Sequence, residues 1–153
     1  MKRVVITINR QYGSGGKTIG YMLAEKLGIP CYSREILQRA SEESGINESM
    51  FNARDERLKR LPKFLLSTNV YSGELLPPES KEFTSDQNLF NYEAEIIKKY
   101  AAEGSCVLIG RCADFVLKDD PDMISVYDHA DHDFQMKCAL ERVSMSEKEM
   151  EKY

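Results

Sequence analysis

Residues 13–18 read Gly-Ser-Gly-Gly-Lys-Thr. Glycines crowded between an apolar run and an amphipathic run are the ingredients of an anion-binding loop. Successive backbone N–H groups can converge on a ligand, no Cβ holds the ligand away, and a helix starting there turns its positive end toward it. Gly16-Lys17-Thr18 supplies the tail of the phosphate-loop pattern G-x-x-x-x-G-K-[ST]. In that pattern the lysine bonds the terminal phosphates and the hydroxyl ligates Mg²⁺. The first glycine of the pattern falls on position 11, where Gln11 stands, so the match is partial. A tight turn carrying a solvated lysine is the plainer reading of the same residues.

A second group able to grip an anion is Arg111, which directly follows the apolar run Cys106–Gly110. A guanidinium can hold two phosphate oxygens at once. The end of a buried strand is where α/β sheets open their ligand crevices. Asp128-His129-Ala130-Asp131-His132-Asp133 has metal-ligating side chains. It also lies at a strand-to-helix junction, where Asp131 is a natural N-cap and acidic residues suit the helix start.

The elements that must position these groups follow from hydrophobic periodicity. Val4 to Ile8 is a β-branched run that reads as a buried strand. From Lys17 the period becomes helical, with Ile19, Met22, Leu23 and Leu27 on the expected inner face and Gly28 as the stop. Ile29–Tyr32 is a short extended piece. Residues 34–44 form a helix with Ile36, Leu37 and Ala40 inward, and Asn47 opens a charged helix that Pro62 halts. Residues 62–84, centred on Pro77-Pro78, read as a loop or mobile flap. Thr84 and Gln87 suggest a capping box for a helix carrying Leu89, Phe90, Ile96, Ile97 and Tyr100. Cys106–Gly110 and Met123–Tyr127 are further strands, the latter after the turn Asp119-Asp120-Pro121-Asp122. A helical tail with Phe134, Leu140 and Val143 closes the chain. Strands alternating with helices, and apolar on both faces, point to a parallel α/β sheet.

The chain has 153 residues, 42% hydrophobic and 30% charged, as expected for one globular domain. The net charge of −4 argues against a dedicated nucleic-acid binder. Residues 1–63 carry 12 Lys/Arg against 7 Asp/Glu, and residues 64–153 carry 9 against 18. The phosphate-loop segment therefore lies in the basic half, which suits an anionic ligand. Four cysteines without a C-x-x-C pair fit a reducing environment better than a disulfide scaffold. No run approaches a membrane span and no signal segment is recognisable, so a cytoplasmic protein is expected.

Arg10-Gln11-Tyr12-Gly13-Ser14-Gly15-Gly16, then Ile19-Gly20 and Leu23-Ala24-Glu25-Lys26-Leu27-Gly28-Ile29-Pro30, closely resembles the cytidylate kinase-like family. Val107-Leu108-Ile109-Gly110-Arg111-Cys112-Ala113-Asp114 does so too. The resemblance implies a three-layer P-loop fold: a parallel sheet with helices on both faces, here lacking the lid and the last strand. It implies phosphoryl transfer from ATP to a nucleoside monophosphate such as CMP or dCMP, with Mg²⁺, on one kinase core spanning residues 1–153. Gly13, Ser14, Gly15, Gly16, Lys17 and Thr18 would wrap the donor phosphates, with Thr18 on Mg²⁺ and Lys17 and Arg111 as catalytic residues. Arg111, Arg39 and Asp114 would bind the acceptor, with Arg34 competing for the place of Arg39 and a solvated helix arginine as the plain reading of either. Cytidylate kinases proper read G-S-G-K-G-T, so their lysine aligns with Gly16 and Lys17 falls one place later. The aspartate of their G-R-D segment is Cys112 here. Lid arginines, which neutralise transition-state charge, are expected beyond Tyr153, and Arg142 is the one arginine in the last 40 residues. The departures keep two alternatives open: a nucleotide-binding module without turnover, and a kinase of another small metabolite on the same fold.

Overall fold

The structure, a computed structural model, describes residues 2–60 and 73–141, the side chains of 55–60 excepted. Arg142, Val143, the first part of the expected flap and the acidic run 147–151 lie outside the described residues. The elements are β1 (Val5–Arg10), α1 (Gly16–Leu27), β2 (Cys31–Tyr32), α2 (Glu35–Ser44), α3 (Glu48–Arg60) and α4 (Asp86–Glu103). They continue with β3 (Cys106–Ile109), α5 (Ala113–Val116), β4 (Met123–Asp128) and α6 (His132–Leu140). Two compact units divide the chain: Met1–Tyr32 with Glu103–Tyr153, and Ser33–Ala102. Among the described residues no helix is long and apolar enough to cross a membrane.

The first unit holds a four-stranded sheet in the order β2-β3-β1-β4, parallel throughout. β1 sits between β3 and β4, with Ile8 opposite Ile109 and Arg10 opposite Asp128. Because the strands are parallel, the loops leaving β1, β3 and β4 gather at one end, where such sheets bind ligands. Side chains on both faces of the central pair are buried: Ile6, Ile8, Val107 and Ile109 on one, Val5, Thr7, Cys106 and Leu108 on the other. That is the signature of a sheet covered on two sides. The expected α/β class therefore holds, with four parallel strands among the described residues. Burial pushes the Cys106 thiol up to about 11, the behaviour of an inert structural cysteine.

The register of β4 is tied to the start of β1. Arg3 donates to Asp120 at 3.1 Å and to Asp122 at 3.3 Å, and the Val5 N–H donates to the Asp122 carbonyl at 3.0 Å. Hydrogen bonding from Arg3 holds the Asp120 carboxyl below its ordinary range.

Helix α1 corrects the sequence expectation. Its buried face is Gly16, Gly20 and Ala24, whereas Ile19 and Met22 are 49% and 64% exposed and Leu27 is exposed as well. The reason is close approach. A Cβ on Gly20 would lie 2.6 Å from Ile109 Cδ1 and 3.2 Å from Ile8 Cδ1, so the helix lies close on the strands through its smallest residues, while Leu23, of the expected inner face, is half-buried against the same core. Gly28 ends the helix as expected, at φ 64° with its N–H bonded into the last turn. In α6 Ala139 is buried and Phe134 is 47% exposed.

In the second unit, α2 buries Ile36, Leu37 and Ala40 as expected, and Asn47 caps α3 by accepting from the Ser49 N–H at 2.9 Å. Helix α4 is capped one residue later than expected. Ser85 Oγ accepts from the Asn88 N–H at 3.2 Å, in place of the Thr84–Gln87 box. Gln87 turns along the helix to Asn91 instead. Residues 73–84 form a loop, fastened by Asn88, which accepts from the Leu76 N–H at 2.8 Å and donates to the Phe83 carbonyl at 2.7 Å. Arg54 and Glu93 make a buried ion pair at 3.2 Å.

Two outcomes follow for stability. Gly20→Val drives side-chain carbon into Ile109 and Ile8, and we expect a loss of about 1–3 kcal/mol in urea denaturation, the usual cost of overpacking. An unchanged midpoint would show that α1 stands farther from the sheet. Asp120→Asn should cost about 1 kcal/mol at pH 7. Because the folded pKa of Asp120 is depressed, the advantage of the parent exists above the ordinary carboxylate range and vanishes as pH falls through the folded value. A stability difference that stays constant down to pH 2 would contradict this.

Candidate functional site

The segment joining β1 to α1 is folded back on itself. The Gln11 N–H donates to the Asp128 carbonyl at 3.0 Å. Ser14, which is buried, donates to the Gln11 carbonyl through its N–H at 3.3 Å and its hydroxyl at 2.8 Å. Gly13 and Gly15 take φ of 80° and 95°, values side-chain-bearing residues rarely adopt. A Cβ on Gly13 would also run into the Gln135 backbone of α6. The turn leaves the N–H groups of Gly13, Gly15, Gly16, Lys17 and Thr18 without a hydrogen-bond partner among the described residues. Five such donors at a helix start make an anion-receptive surface.

Two side chains converge on Gly16. A Cβ there would lie 2.8 Å from Arg10 Cβ, 3.2 Å from Arg10 Cγ and 2.9 Å from Asp128 Oδ2. The Arg10 side chain runs on to Gly110, where a Cβ would overlap its guanidinium. Although Arg10 as a whole is exposed, its head group is crowded. Desolvation, then the charge of Arg111, lowers its pKa. Asp128 Oδ2 is buried and has no hydrogen-bond partner among the described residues, a costly state for a carboxylate.

The loop after β3 completes the cluster. Gly110, Arg111 and Cys112 take φ of 73°, 59° and 53° in succession. The turn is closed by the Ala113 N–H on the Gly110 carbonyl at 3.1 Å. Left-handed backbone at two residues bearing a Cβ is strained, and such strain gathers where a side chain must be aimed.

The model of the cytidylate kinase-like family matches residues 5–153. The chain belongs to that family. A crystal structure of an uncharacterized protein from Eubacterium ventriosum is 28% identical, with a TM-score of 0.61, over 95% of this chain. The chain spans 65% of the length of that protein. No curated protein matches it. The parallel sheet agrees with a nucleotide-kinase-like fold.

The residues expected to act are distributed as follows. Gly13, Ser14, Gly15 and Gly16 form the loop and Thr18 is exposed in the first turn of α1. The Lys17 ammonium lies 5.8 Å above the Tyr21 ring, along the solvent side of the same helix. Arg111 lies beside Arg10 in the strained loop, and Asp114 is half-buried in the first turn of α5. In the second unit Arg39 donates to Glu43 at 3.1 Å and stacks 4.8 Å above Tyr100, and Arg34 pairs with Glu48 at 3.2 Å. Asp131 accepts from the Phe134 N–H at 2.9 Å, the helix cap that its position suggested. Among the described residues no three His, Cys, Asp or Glu side chains are grouped to hold a metal ion.

The sequence assigns Arg10 no role of its own and names Asp128 only within a metal-ligating run, not beside the glycine loop. The strand register that sets them opposite each other was the missing information. Replacing Cys112 by glycine should relieve part of the strain at φ 53°. We expect a gain of about 1 kcal/mol in thermal or urea unfolding. A loss of stability would mean that the left-handed turn is not strained.

Proposed function

We propose that this chain transfers the γ-phosphoryl group of ATP to a nucleoside monophosphate, with CMP or dCMP as the acceptor that the family likeness favours. The carrying observation is the set of five unpaired N–H groups at Gly13 and Gly15–Thr18, beside Arg10 and Arg111 at the carboxyl end of the sheet. In the reaction an acceptor phosphate oxygen attacks the γ-phosphorus. The bond from that phosphorus to the β–γ bridging oxygen breaks, and its electron pair leaves with ADP. The loop N–H groups hold the donor phosphates, and the Arg111 fork holds the acceptor phosphate in line. Lys17 would have to leave the Tyr21 ring to reach a phosphate.

The residues present fit Mg²⁺. A buried carboxylate oxygen without a partner, at Asp128, next to a loop that attracts phosphate would repel that phosphate unless a cation stood between them. The Thr18 hydroxyl and the Asp128 carboxylate would hold the ion, which would supply neutralisation of phosphate charge. The position of Lys17 over Tyr21 favours a second reading, a domain that holds nucleotide without turnover.

A coupled assay of ADP release across CMP, dCMP, UMP, AMP and a small polyhydroxy alcohol separates these. We expect turnover with the pyrimidine monophosphates. ATP binding without ADP release from any acceptor would establish the second reading, and turnover with the alcohol alone would move the substrate out of the nucleotides. Arg111→Ala should raise the acceptor KM about tenfold or more, as loss of charge-assisted bonds does, with ATP affinity nearly intact. An equal loss of ATP affinity would remove Arg111 from the acceptor role.

A further inference from the structure

The phosphate-loop pattern sets a glycine six residues before its lysine. With the lysine at the place of Gly16, that glycine falls on position 10. This chain therefore has arginine where the pattern has glycine, and glycine where it has lysine. The two exchanged positions are in contact. A Cβ at position 16 would meet Arg10 Cβ at 2.8 Å and Cγ at 3.2 Å, so the arginine stem fills the space that a lysine stem would need. One substitution explains the other.

The charged end behaves as a group awaiting an anion. Among the described residues the Arg10 guanidinium makes no hydrogen bond and no ion pair, although Asp128 is its register partner on β4. It rests against Gly110 and feels the like charge of Arg111. Two neighbouring guanidinium groups repel unless an anion is placed with them. Lys17, the other cation of the loop, is turned to Tyr21.

We propose that Arg10 supplies the cation that binds the donor triphosphate, in place of the lysine that Gly16 displaces. This assignment rests on the reading of residues 13–18 as a triphosphate loop. Arginine suits the exchange because its longer, planar fork starts from the strand end and spans two phosphate oxygens. A lysine at position 16 would start from the helix.

Equilibrium titration of the full 153-residue chain with ATP, inorganic tripolyphosphate and CMP tests it. Arg10→Gln keeps the stem and removes the charge. It should weaken ATP and tripolyphosphate about tenfold or more and CMP by less than about threefold. Arg10→Lys should retain most of the affinity. The exchange Arg10→Gly with Gly16→Lys rebuilds the common pattern and should bind triphosphate far better than Arg10→Gly alone. Unchanged triphosphate binding in Arg10→Gln overturns the proposal, as does an equal loss for CMP, or an exchanged pair no better than the single variant. Should the exchanged pair not fold, Arg10→Gln against Arg10→Lys decides. A parent chain that binds neither ATP nor tripolyphosphate overturns the loop reading and this assignment with it. A parent that binds both, with Arg10→Gln its equal, overturns this assignment alone.

Discussion

The contact between α1 and the sheet runs through Gly16, Gly20 and Ala24, with Leu23 packed against the same core, and the site depends on it. Gly20 has Ile109 and Ile8 where its Cβ would be, and Ala24 follows on the same face. A helix held that near its strands has little freedom to roll or slide, because interiors pack at crystal-like density. Its first turn is therefore fixed relative to the end of β1. That sets the span of the 11–15 loop, the direction of its free N–H groups and the space left at Gly16. Ile19, Met22 and Leu27 of α1, by contrast, are exposed.

Gly16 links this packing to electrostatics. At the same helix face that meets the sheet, the missing Cβ leaves room for the Arg10 stem and for one oxygen of Asp128. Arg10 then carries its charge from the β1–α1 loop to the β3–α5 loop, where Arg111 stands on left-handed backbone. Among the described residues, an unpaired Arg10 guanidinium, free N–H groups and an orphaned carboxylate oxygen would be a liability in a molecule selected for stability alone. Their concentration at the carboxyl end of β1 and β3 is what a site for phosphate and a divalent cation requires.

The sequence was most legible where a residue type has one structural use. Val4–Ile8 and Cys106–Gly110 became strands, Gly28 and Gly45 ended helices in the left-handed conformation, and the α/β class followed. It misled where burial was inferred from size. Ile19 and Met22 were assigned to the core face of α1, but the sheet selected Gly16, Gly20 and Ala24, which periodicity arguments weigh little. Ser85 rather than Thr84 caps α4, a choice between adjacent hydroxyls that local propensity does not make. At the site, the loop glycines and Arg111 were legible from motif and resemblance. Arg10 and Asp128 were not, because their relation is a register between strands more than 100 residues apart in the chain.

That register also changes the meaning of the charge asymmetry. Residues 1–63 are basic and the remainder acidic, which on the linear chain suggests two surfaces of opposite sign. The pairing of β1 with β4 folds the two halves together instead. At one end of the pair, Arg3 is satisfied by Asp120 and Asp122. At the other end, Arg10 and Asp128 sit opposite each other in register yet form no ion pair among the described residues. The same two strands thus close their charges at the amino end and leave them open at the carboxyl end. A closed pair stabilises the fold, and an open pair is available to a ligand of mixed charge. A phosphate chain with its divalent cation is such a ligand, since its oxygens answer the arginine and its cation answers the carboxylate.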